Sequence, residues 1–114
     1  MEPAMQDLPH IYKASANADI NSAVIVSSEG LPSVETAGPV EFGGPGDAWS
    51  PEELLVAAVA DCFILTFRAM ARASKLDWTS LGCNASGTLD KLEKVTQFTH
   101  FTLHAELTIP AGSD

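Results

Sequence analysis

The sequence contains few cysteines, few positive charges and no long uninterrupted apolar run. Its 114 residues include two cysteines, too few for a disulfide framework. Six lysines and arginines stand against 15 aspartates and glutamates, so the net charge is −9 and repels phosphate backbones and anionic lipids. We therefore expect no nucleic-acid partner and no membrane surface. The longest apolar stretch, residues 54–65, is interrupted by Asp61 and followed by arginines, which predicts that it is too short and too charged to span a bilayer.

The first residues also lack the basic flank and apolar run of a secretory signal. Together with the low cysteine content, this favours a reducing, cytoplasmic setting. The length is typical of one domain, and 46% hydrophobic with 18% charged residues is enough to build a core without metal or disulfides. We predict a single domain over residues 1–114, with a loose start at residues 1–9.

The pattern of apolar residues predicts strands on both sides of one long helix. Residues 11–16 and 20–27, around a turn at 17–19, predict a first hairpin, and residues 31–36 predict a short third strand. Glycine and proline dominate residues 38–46, which predicts a loop. Period-two alternation over 81–89 and 101–109 predicts a second hairpin with a charged turn at 90–94. This order indicates an α+β fold with antiparallel sheet.

The start of the helix is the clearest local signal. Ser50 offers an N-cap hydroxyl, Pro51 suits the first helical position, and Glu52 and Glu53 oppose the positive end of the helix dipole. Residues 54–75 contain neither glycine nor proline, so the helix is predicted to run about 24 residues. Its first half is apolar nearly all round, which predicts burial on several sides, inside a wrapping sheet or against a second subunit.

Cys62, in the middle of this helix, has two interpretations. A free cysteine in an apolar helix is often an inert small hydrophobe, whereas a nucleophilic thiolate needs a cation or a hydrogen-bond donor beside it. Glu52 precedes Cys62 by ten residues, about 80° round and ~15 Å along the axis, so the two cannot touch within a straight helix.

Other candidate residues carry weaker signals. His100 and His104 lie about 13 Å apart along a strand, so we expect no metal site. The glycines of residues 43–46 lack the lysine of a phosphate loop and are expected to form a turn that lets the backbone approach a site. Four aromatic side chains are candidates either for an apolar pocket or for the core. They are Phe42, Trp49, Phe63 and Phe67.

Three motifs together resemble a known family: a glycine-rich loop, a proline-glutamate helix start and a helix cysteine. They are residues 41–46 (EFGGPG), 50–58 (SPEELLVAA) and 60–63 (ADCF). Their order and spacing resemble the OsmC/Ohr family of osmotically inducible and organic hydroperoxide resistance proteins, over roughly residues 10–114. The resemblance implies an intertwined homodimer whose two long central helices are enclosed by sheets, with the sites at the subunit boundary.

The resemblance also implies a thiol peroxidase that needs no cofactor. Cys62 matches the cysteine that attacks an organic hydroperoxide, and Glu52 matches the glutamate that holds an arginine near the thiolate. A second cysteine then forms a disulfide, and a dithiol reductant reverses it. In the family the resolving cysteine lies on a helix after the last long strand, and this sequence stops before any such helix. Cys83 is a possible resolving thiol, but its place on the apolar face of a strand fits an inert core cysteine better. The family's arginine comes from the N-terminal strands, whereas this sequence has arginine only at Arg68 and Arg72.

Two other functions stay open at this point. The first is a non-catalytic or truncated dimerising domain of the same fold. The second is a hot-dog thioesterase or acyl-binding domain, since that fold also wraps a sheet around one apolar helix, with Glu52 or Asp61 as the base. Only the peroxidase requires the sulfur of Cys62.

Overall fold

The computed structural model describes residues 7–112, and its contacts divide the chain into two units, Met1–Pro51 and Glu52–Asp114. Residues 1–6 of the predicted loose start lie outside the described residues. Residues 7–9 belong to no helix or strand and are exposed, and the loose start stays a prediction.

The first unit contains a three-stranded antiparallel sheet. Strands β1 (Ser15–Asn17), β2 (Val24–Ser27) and β3 (Val34–Thr36) lie in the order β1-β2-β3. The predicted hairpin and third strand are present, but the strands are shorter than predicted. The difference arises at residues 18–23, which form a loop closed by a hydrogen bond from the Asp19 N–H to the Ser22 Oγ at 2.8 Å. At the edge of the sheet, the buried Thr36 donates its hydroxyl to the Val24 carbonyl oxygen at 3.3 Å.

The glycine-rich loop contains one short 3-10 helix, Val40–Phe42, where the sequence predicts only loop. Gly43 ends it in the left-handed conformation, φ 88°, and Gly44 donates its N–H to the Pro39 carbonyl oxygen at 2.9 Å. A Cβ at Gly44 would collide with the carbonyl oxygen of Gly38, so only glycine fits this position. The loop thus depends on glycine for close backbone packing.

The single long helix, α1 (Pro51–Ser74), has the predicted 24 residues. It begins directly after Ser50, which is fully buried, with two acidic residues in its first turn. It ends at Ser74. The following Lys75 has a left-handed φ of 57°, and the N–H of Leu76 donates to the Ala71 carbonyl oxygen at 2.9 Å. This is the usual way in which a left-handed residue terminates a helix, here without the glycine that normally supplies it.

The second hairpin is longer than the sequence predicts. Strands β4 (Ser80–Leu92) and β5 (Val95–Thr108) pair along their whole lengths, and the turn consists of Glu93 and Lys94 alone rather than residues 90–94. Both turn residues have positive φ, 50° and 69°. Two consecutive left-handed residues match the right-handed twist of the flanking strands, so pairing continues to the turn.

A one-residue bulge interrupts this hairpin. Thr88 pairs with His100 and Leu89 pairs with Phe98, so Thr99 is the extra residue. The insertion changes the phase of the alternation and allows the rings of Phe98 and Phe101 to stack with centroids 5.2 Å apart. The period-two pattern predicts an apolar face only from Phe101 onward and therefore misses Phe98.

Helix α1 packs on one face of the β4–β5 hairpin. A Cβ at Gly87 of β4 would lie 2.9 Å from the Val56 Cγ2, so glycine allows the helix to approach the strand closely. Near the other end of the helix, Phe67 packs edge-to-face on Trp78 with centroids 5.3 Å apart. The approach of Val56 to Gly87 therefore shows which side of α1 faces the hairpin, and the Phe67–Trp78 contact packs the helix against the segment that leads into β4.

The remaining sides of α1 are exposed in the single chain. Leu55 is 47% exposed, Leu65 52% and Met70 64%, and among the described residues Ala71 is the one apolar residue that is fully buried. The predicted burial of the helix on several sides is therefore not achieved within one chain, because one two-stranded hairpin covers only one side.

By length and composition alone, α1 could cross a membrane. This corrects the expectation that the apolar segment is too short and too charged, since the full helix is longer than residues 54–65. The evidence for a membrane is nevertheless weak, because the central helix of a soluble protein has the same length and composition.

Candidate functional site

The centre of the candidate site is Cys62, in the middle of α1. It is a free thiol on an exposed residue. At 100° per residue it lies about 120° round the helix from Val56, the residue that meets Gly87 of the hairpin. The hairpin therefore leaves the thiol uncovered, and small molecules can reach it in the single chain.

The polar neighbour of Cys62 is Thr66, one helical turn further on. The Cys62 Sγ and the Thr66 Oγ1 are 3.9 Å apart, and either atom can be the donor. The hydroxyl is therefore placed to donate a hydrogen bond to the sulfur, and the thiolate is the reactive form of a cysteine. Sequence reasoning missed Thr66, although its spacing of four residues from Cys62 places the two on one helix face.

Glu52 lies in the first turn of α1 and is half-buried. Its Oε1 is buried and has no hydrogen-bond partner within residues 7–112. A buried polar atom without a partner costs about 1–3 kcal/mol, so this carboxylate is placed to accept a donor. Glu52 and Cys62 remain about 15 Å apart along the helix, as the sequence predicts, and the structure does not bring them into contact.

Cys83, the candidate resolving thiol, lies on a different surface from Cys62. It is half-buried in β4, opposite Ala105, and its side chain points to the same face of the hairpin as Gly87. That face meets α1, whereas Cys62 is on a side of α1 that faces away from the hairpin. Both thiols are free, and the formation of a disulfide between them stays a prediction.

The four aromatic candidates have different surroundings. Phe67 packs on Trp78, in the segment between α1 and β4. Phe63, one residue after Cys62, is 39% exposed. Phe42 and Trp49 belong to the first unit and are exposed there. A common pocket lined by all four stays a prediction.

Both histidines considered as metal ligands have other neighbours. The His100 Nδ1 lies 2.9 Å from the Thr99 Oγ1, and the His104 Nε2 lies 3.6 Å from the Glu106 Oε1. In the part of the chain that the structure describes, no group of three or more histidine, cysteine, aspartate or glutamate side chains could hold a metal ion.

Comparison with known proteins identifies similar sequences and folds. A family described as OsmC-like protein matches residues 44–114, which include the last residues of the glycine-rich loop, all of α1 and the second hairpin. The uncharacterized protein YmaD of Bacillus subtilis is 36% identical over 52 residues, or 46% of this chain. That match spans 35% of the length of YmaD, about a third of the curated relative.

Two solved structures resemble almost the whole chain. The organic hydroperoxide resistance protein OsmC of Legionella pneumophila matches with a TM-score of 0.74 and 28% identity, over 90% of this chain and 74% of that one. An organic hydroperoxide resistance protein of Elizabethkingia anophelis, solved with bound thiocyanate, matches with a TM-score of 0.65 and 25% identity, over 90% of this chain and 70% of that one.

Proposed function

Because the chain belongs to the OsmC-like protein family, we propose that it is a thiol-dependent peroxidase that reduces organic hydroperoxides to alcohols, with Cys62 as the nucleophile. The names of the similar solved structures point to organic hydroperoxides as the substrate class. The observation that carries the proposal is the position of Cys62, a free and exposed thiol beside a threonine hydroxyl in an otherwise apolar stretch of helix.

The first half of the reaction oxidises the sulfur. The Cys62 thiolate attacks the distal oxygen of the hydroperoxide, the O–O bond breaks, and the departing alkoxide takes a proton and leaves as the alcohol. Cys62 becomes a sulfenic acid, with two electrons passed from sulfur to the peroxide. The Thr66 hydroxyl supports this step by donating to the thiolate before the attack.

The second half restores the thiol. A second thiol attacks the sulfenic sulfur, water leaves, and a disulfide forms. An external dithiol then exchanges with that disulfide, is itself oxidised, and returns Cys62 to the reduced state. Cys83 is the candidate within the chain for the second thiol, and one thiol of the external reductant takes this role if Cys83 does not reach Cys62.

We assign Glu52 the role of an orienting residue. Its buried Oε1 has a free acceptor position, which suits a cationic or N–H donor brought close to the site. Such a donor, held by Glu52, would place positive charge near the thiolate without a direct contact between Glu52 and Cys62.

We further propose that the protein is a homodimer in a reducing, cytoplasmic setting and that it uses no cofactor. Support for the homodimer comes from α1, whose apolar side chains are left exposed by the hairpin of their own chain. An exposed apolar surface along a whole helix is costly in water and is typical of a subunit interface.

The test is consumption of cumene hydroperoxide or tert-butyl hydroperoxide with a dithiol reductant. Cys62→Ser should abolish the rate, and a wild-type rate for this variant would remove Cys62 from the mechanism. Cys83→Ser is the matched control for loss of a thiol elsewhere. If Cys83 resolves the sulfenic acid, this variant should accumulate a sulfenic acid that dimedone traps. If it does not, the variant should turn over like the wild type.

A non-catalytic dimerising domain is the second candidate. It is favoured by the surroundings of Cys62, whose sulfur has an uncharged hydroxyl, that of Thr66, as its polar neighbour. A wild-type chain that dimerises, yet shows neither hydroperoxide consumption nor dimedone labelling after peroxide treatment, would support this candidate over the peroxidase.

A further inference from the structure

The gap between Cys62 and Thr66 is wide enough to hold one more atom. The Cys62 Sγ and the Thr66 Oγ1 are 3.9 Å apart, whereas a hydrogen bond between two oxygen atoms spans about 2.5–3.0 Å. Both residues are exposed, and they lie one helical turn apart on the same face of α1. In the proposed reaction this sulfur gains an oxygen atom when Cys62 becomes a sulfenic acid.

The added oxygen fits between the sulfur and the threonine hydroxyl. A sulfur–oxygen single bond is about 1.7 Å long, and the sulfenic oxygen must come within about 2.5–3.0 Å of the Thr66 Oγ1 to form a hydrogen bond. With the sulfur 3.9 Å from that Oγ1, the condition is met when the S–O bond makes an angle of about 25–45° with the line from Sγ to Oγ1. The sulfenic acid of Cys62 therefore reaches Thr66 without any movement of the helix.

The Thr66 hydroxyl is available for this hydrogen bond. A threonine inside a helix often donates its hydroxyl to the carbonyl oxygen four residues before it. Among residues 7–112, the hydrogen bond of the Thr66 hydroxyl is instead to the sulfur of Cys62. A hydroxyl both donates and accepts, so it can bond to the oxygen of a sulfenic acid in either protonation state.

The direction of the S–O bond decides the side from which a second thiol can attack. The incoming thiolate adds electrons to the orbital that lies opposite the leaving oxygen, so it approaches from the side away from Thr66. That side holds Ala58, one helical turn before Cys62, which is exposed and leaves room because its side chain is a single methyl group. Ala58 lies about 160° round the helix from Val56, the residue that meets the hairpin. A thiol on this side therefore comes from outside the hairpin and not from Cys83.

We propose that Thr66 is a catalytic residue of the second half of the reaction, in which its hydroxyl holds the oxygen of the Cys62 sulfenic acid while an external thiol attacks from the side of Ala58. This inference rests on the proposed peroxidase and concerns a step that follows departure of the alcohol. The S–O bond breaks and an S–S bond to the external thiol forms. The oxygen leaves as water, with its own hydrogen and the proton of the incoming thiol. Thr66 donates to this oxygen as negative charge develops on it.

Single-turnover kinetics separate the two halves of the reaction. In a Cys83→Ser background, one equivalent of cumene hydroperoxide oxidises Cys62, and loss of free thiol gives the first rate. Dithiothreitol is then added, and loss of dimedone-reactive sulfenic acid gives the second rate. Thr66→Val keeps the shape of the side chain but removes the hydroxyl, and should slow the second step about ten-fold or more and the first step less than about three-fold. Thr66→Ser, which keeps the hydroxyl, should restore the second rate to within about three-fold of the wild-type rate.

The slower second step has a chemical signature of its own. Because the sulfenic acid of Thr66→Val lives longer, excess hydroperoxide should oxidise more of it to sulfinic acid in each turnover. Intact-mass spectrometry counts the two added oxygen atoms, and Thr66→Ser should resemble the wild type.

A second pair of variants tests the direction of attack. Ala58→Leu places a larger side chain on the proposed approach of the thiol and should slow the second step about ten-fold, and more than it slows the first. Ala69→Leu is the matched control, because Ala69 is also an exposed alanine of α1 but lies beyond Thr66, on the side that the leaving oxygen occupies. It should leave the second rate within about two-fold of the wild-type rate.

Three results would overturn the inference. They are a second rate that Thr66→Val leaves unchanged, a Thr66→Ser variant as slow as Thr66→Val, and equal effects of Ala58→Leu and Ala69→Leu on the second step. Any of these in a chain whose Cys62 still consumes hydroperoxide would count against the role of Thr66 alone. A wild type in which hydroperoxide forms no sulfenic acid would overturn the proposed peroxidase, and with it this inference.

Discussion

Gly87 is the position at which a single added methyl group should most clearly disturb the packing of α1 on its hairpin. An ideal Cβ there lies 2.9 Å from the Val56 Cγ2, 3.0 Å from the Phe98 Cε1 and 3.1 Å from the Phe101 Cε1. All three distances are shorter than ordinary van der Waals contacts, and the three neighbours come from both the helix and the opposite strand. No single side-chain movement relieves all three contacts, so we expect Gly87→Ala to push α1 away from β4.

The magnitude follows from two opposing terms. Overpacking of this kind costs roughly 1–3 kcal/mol, and alanine recovers about 0.5–1 kcal/mol because it restricts the unfolded chain more than glycine does. The net loss of unfolding free energy should be about 1–2 kcal/mol. For a chain of this length that corresponds to a fall of about 4–8 °C in the thermal midpoint.

Urea or thermal unfolding followed by circular dichroism measures this loss. Gly82→Ala is the matched control, because Gly82 is in the same strand and a Cβ there has no neighbour within 4 Å. The Gly82 variant should be as stable as the wild type or slightly more stable. Adding Val56→Ala to Gly87→Ala should restore part of the loss. If the Gly87→Ala variant is as stable as the Gly82→Ala variant, this result would contradict the close approach of α1 to β4 at Gly87.

Three further predictions concern the turn, the aromatic pair and the loop. Replacing Glu93 by asparagine and Lys94 by glycine should stabilise the protein by about 1 kcal/mol in urea unfolding, because both positions have positive φ. A double-mutant cycle with Phe67→Ala and Trp78→Ala should give a coupling of about 0.5–1.5 kcal/mol, since the rings pack edge-to-face. Gly44→Ala should destabilise the first unit by more than about 1 kcal/mol, because its Cβ has no space, and should increase proteolysis in residues 38–46.

Each of these has a control in the same element. Lys91→Gly, in a paired strand position, should destabilise the hairpin. If it stabilises the hairpin instead, the higher stability of the Glu93 and Lys94 variant does not come from the turn conformation. Phe63→Ala combined with Trp78→Ala should show no coupling, in contrast to the Phe67 pair. Gly38→Ala, with no neighbour within 4 Å of its Cβ, should leave proteolysis unchanged, and equal cleavage of both glycine variants would contradict the close contact at Gly44.

The helix was predictable from the sequence because its signals are local. A hydroxyl before Pro51, two acids in the first turn and a long segment without glycine or proline are sufficient to predict its start and its length. The order of strands along the chain was predictable for the same reason, because the alternation of apolar and polar residues is visible within each strand segment. The exposure of Cys62 was not predictable, because it depends on which side of the helix the hairpin covers. That side is set by the approach of Val56 to Gly87, which lies far along the chain.

The hairpin shows where a periodic pattern is insufficient. Glutamate and lysine, the residues at positions 93 and 94, are not typical of a tight turn, so the sequence predicts a longer turn. Thr99 adds one residue to one strand, and no period-two count detects such an insertion. At the candidate site, the helical spacing correctly predicts that Glu52 and Cys62 are apart, whereas the buried oxygen of Glu52 depends on three-dimensional packing that no local pattern encodes.

The exposed side of α1 has a thermodynamic consequence for the whole chain. In the proposed homodimer, α1 would cover its apolar side chains only when two subunits meet. Its folding would then be coupled to a bimolecular equilibrium, and the melting temperature should rise with protein concentration. Each ten-fold dilution would remove about 1.4 kcal/mol of stability per dimer. Newly synthesised, unpaired subunits would then be the form most exposed to proteolysis, and the amount of protein in the cell would itself help to determine how long each copy survives.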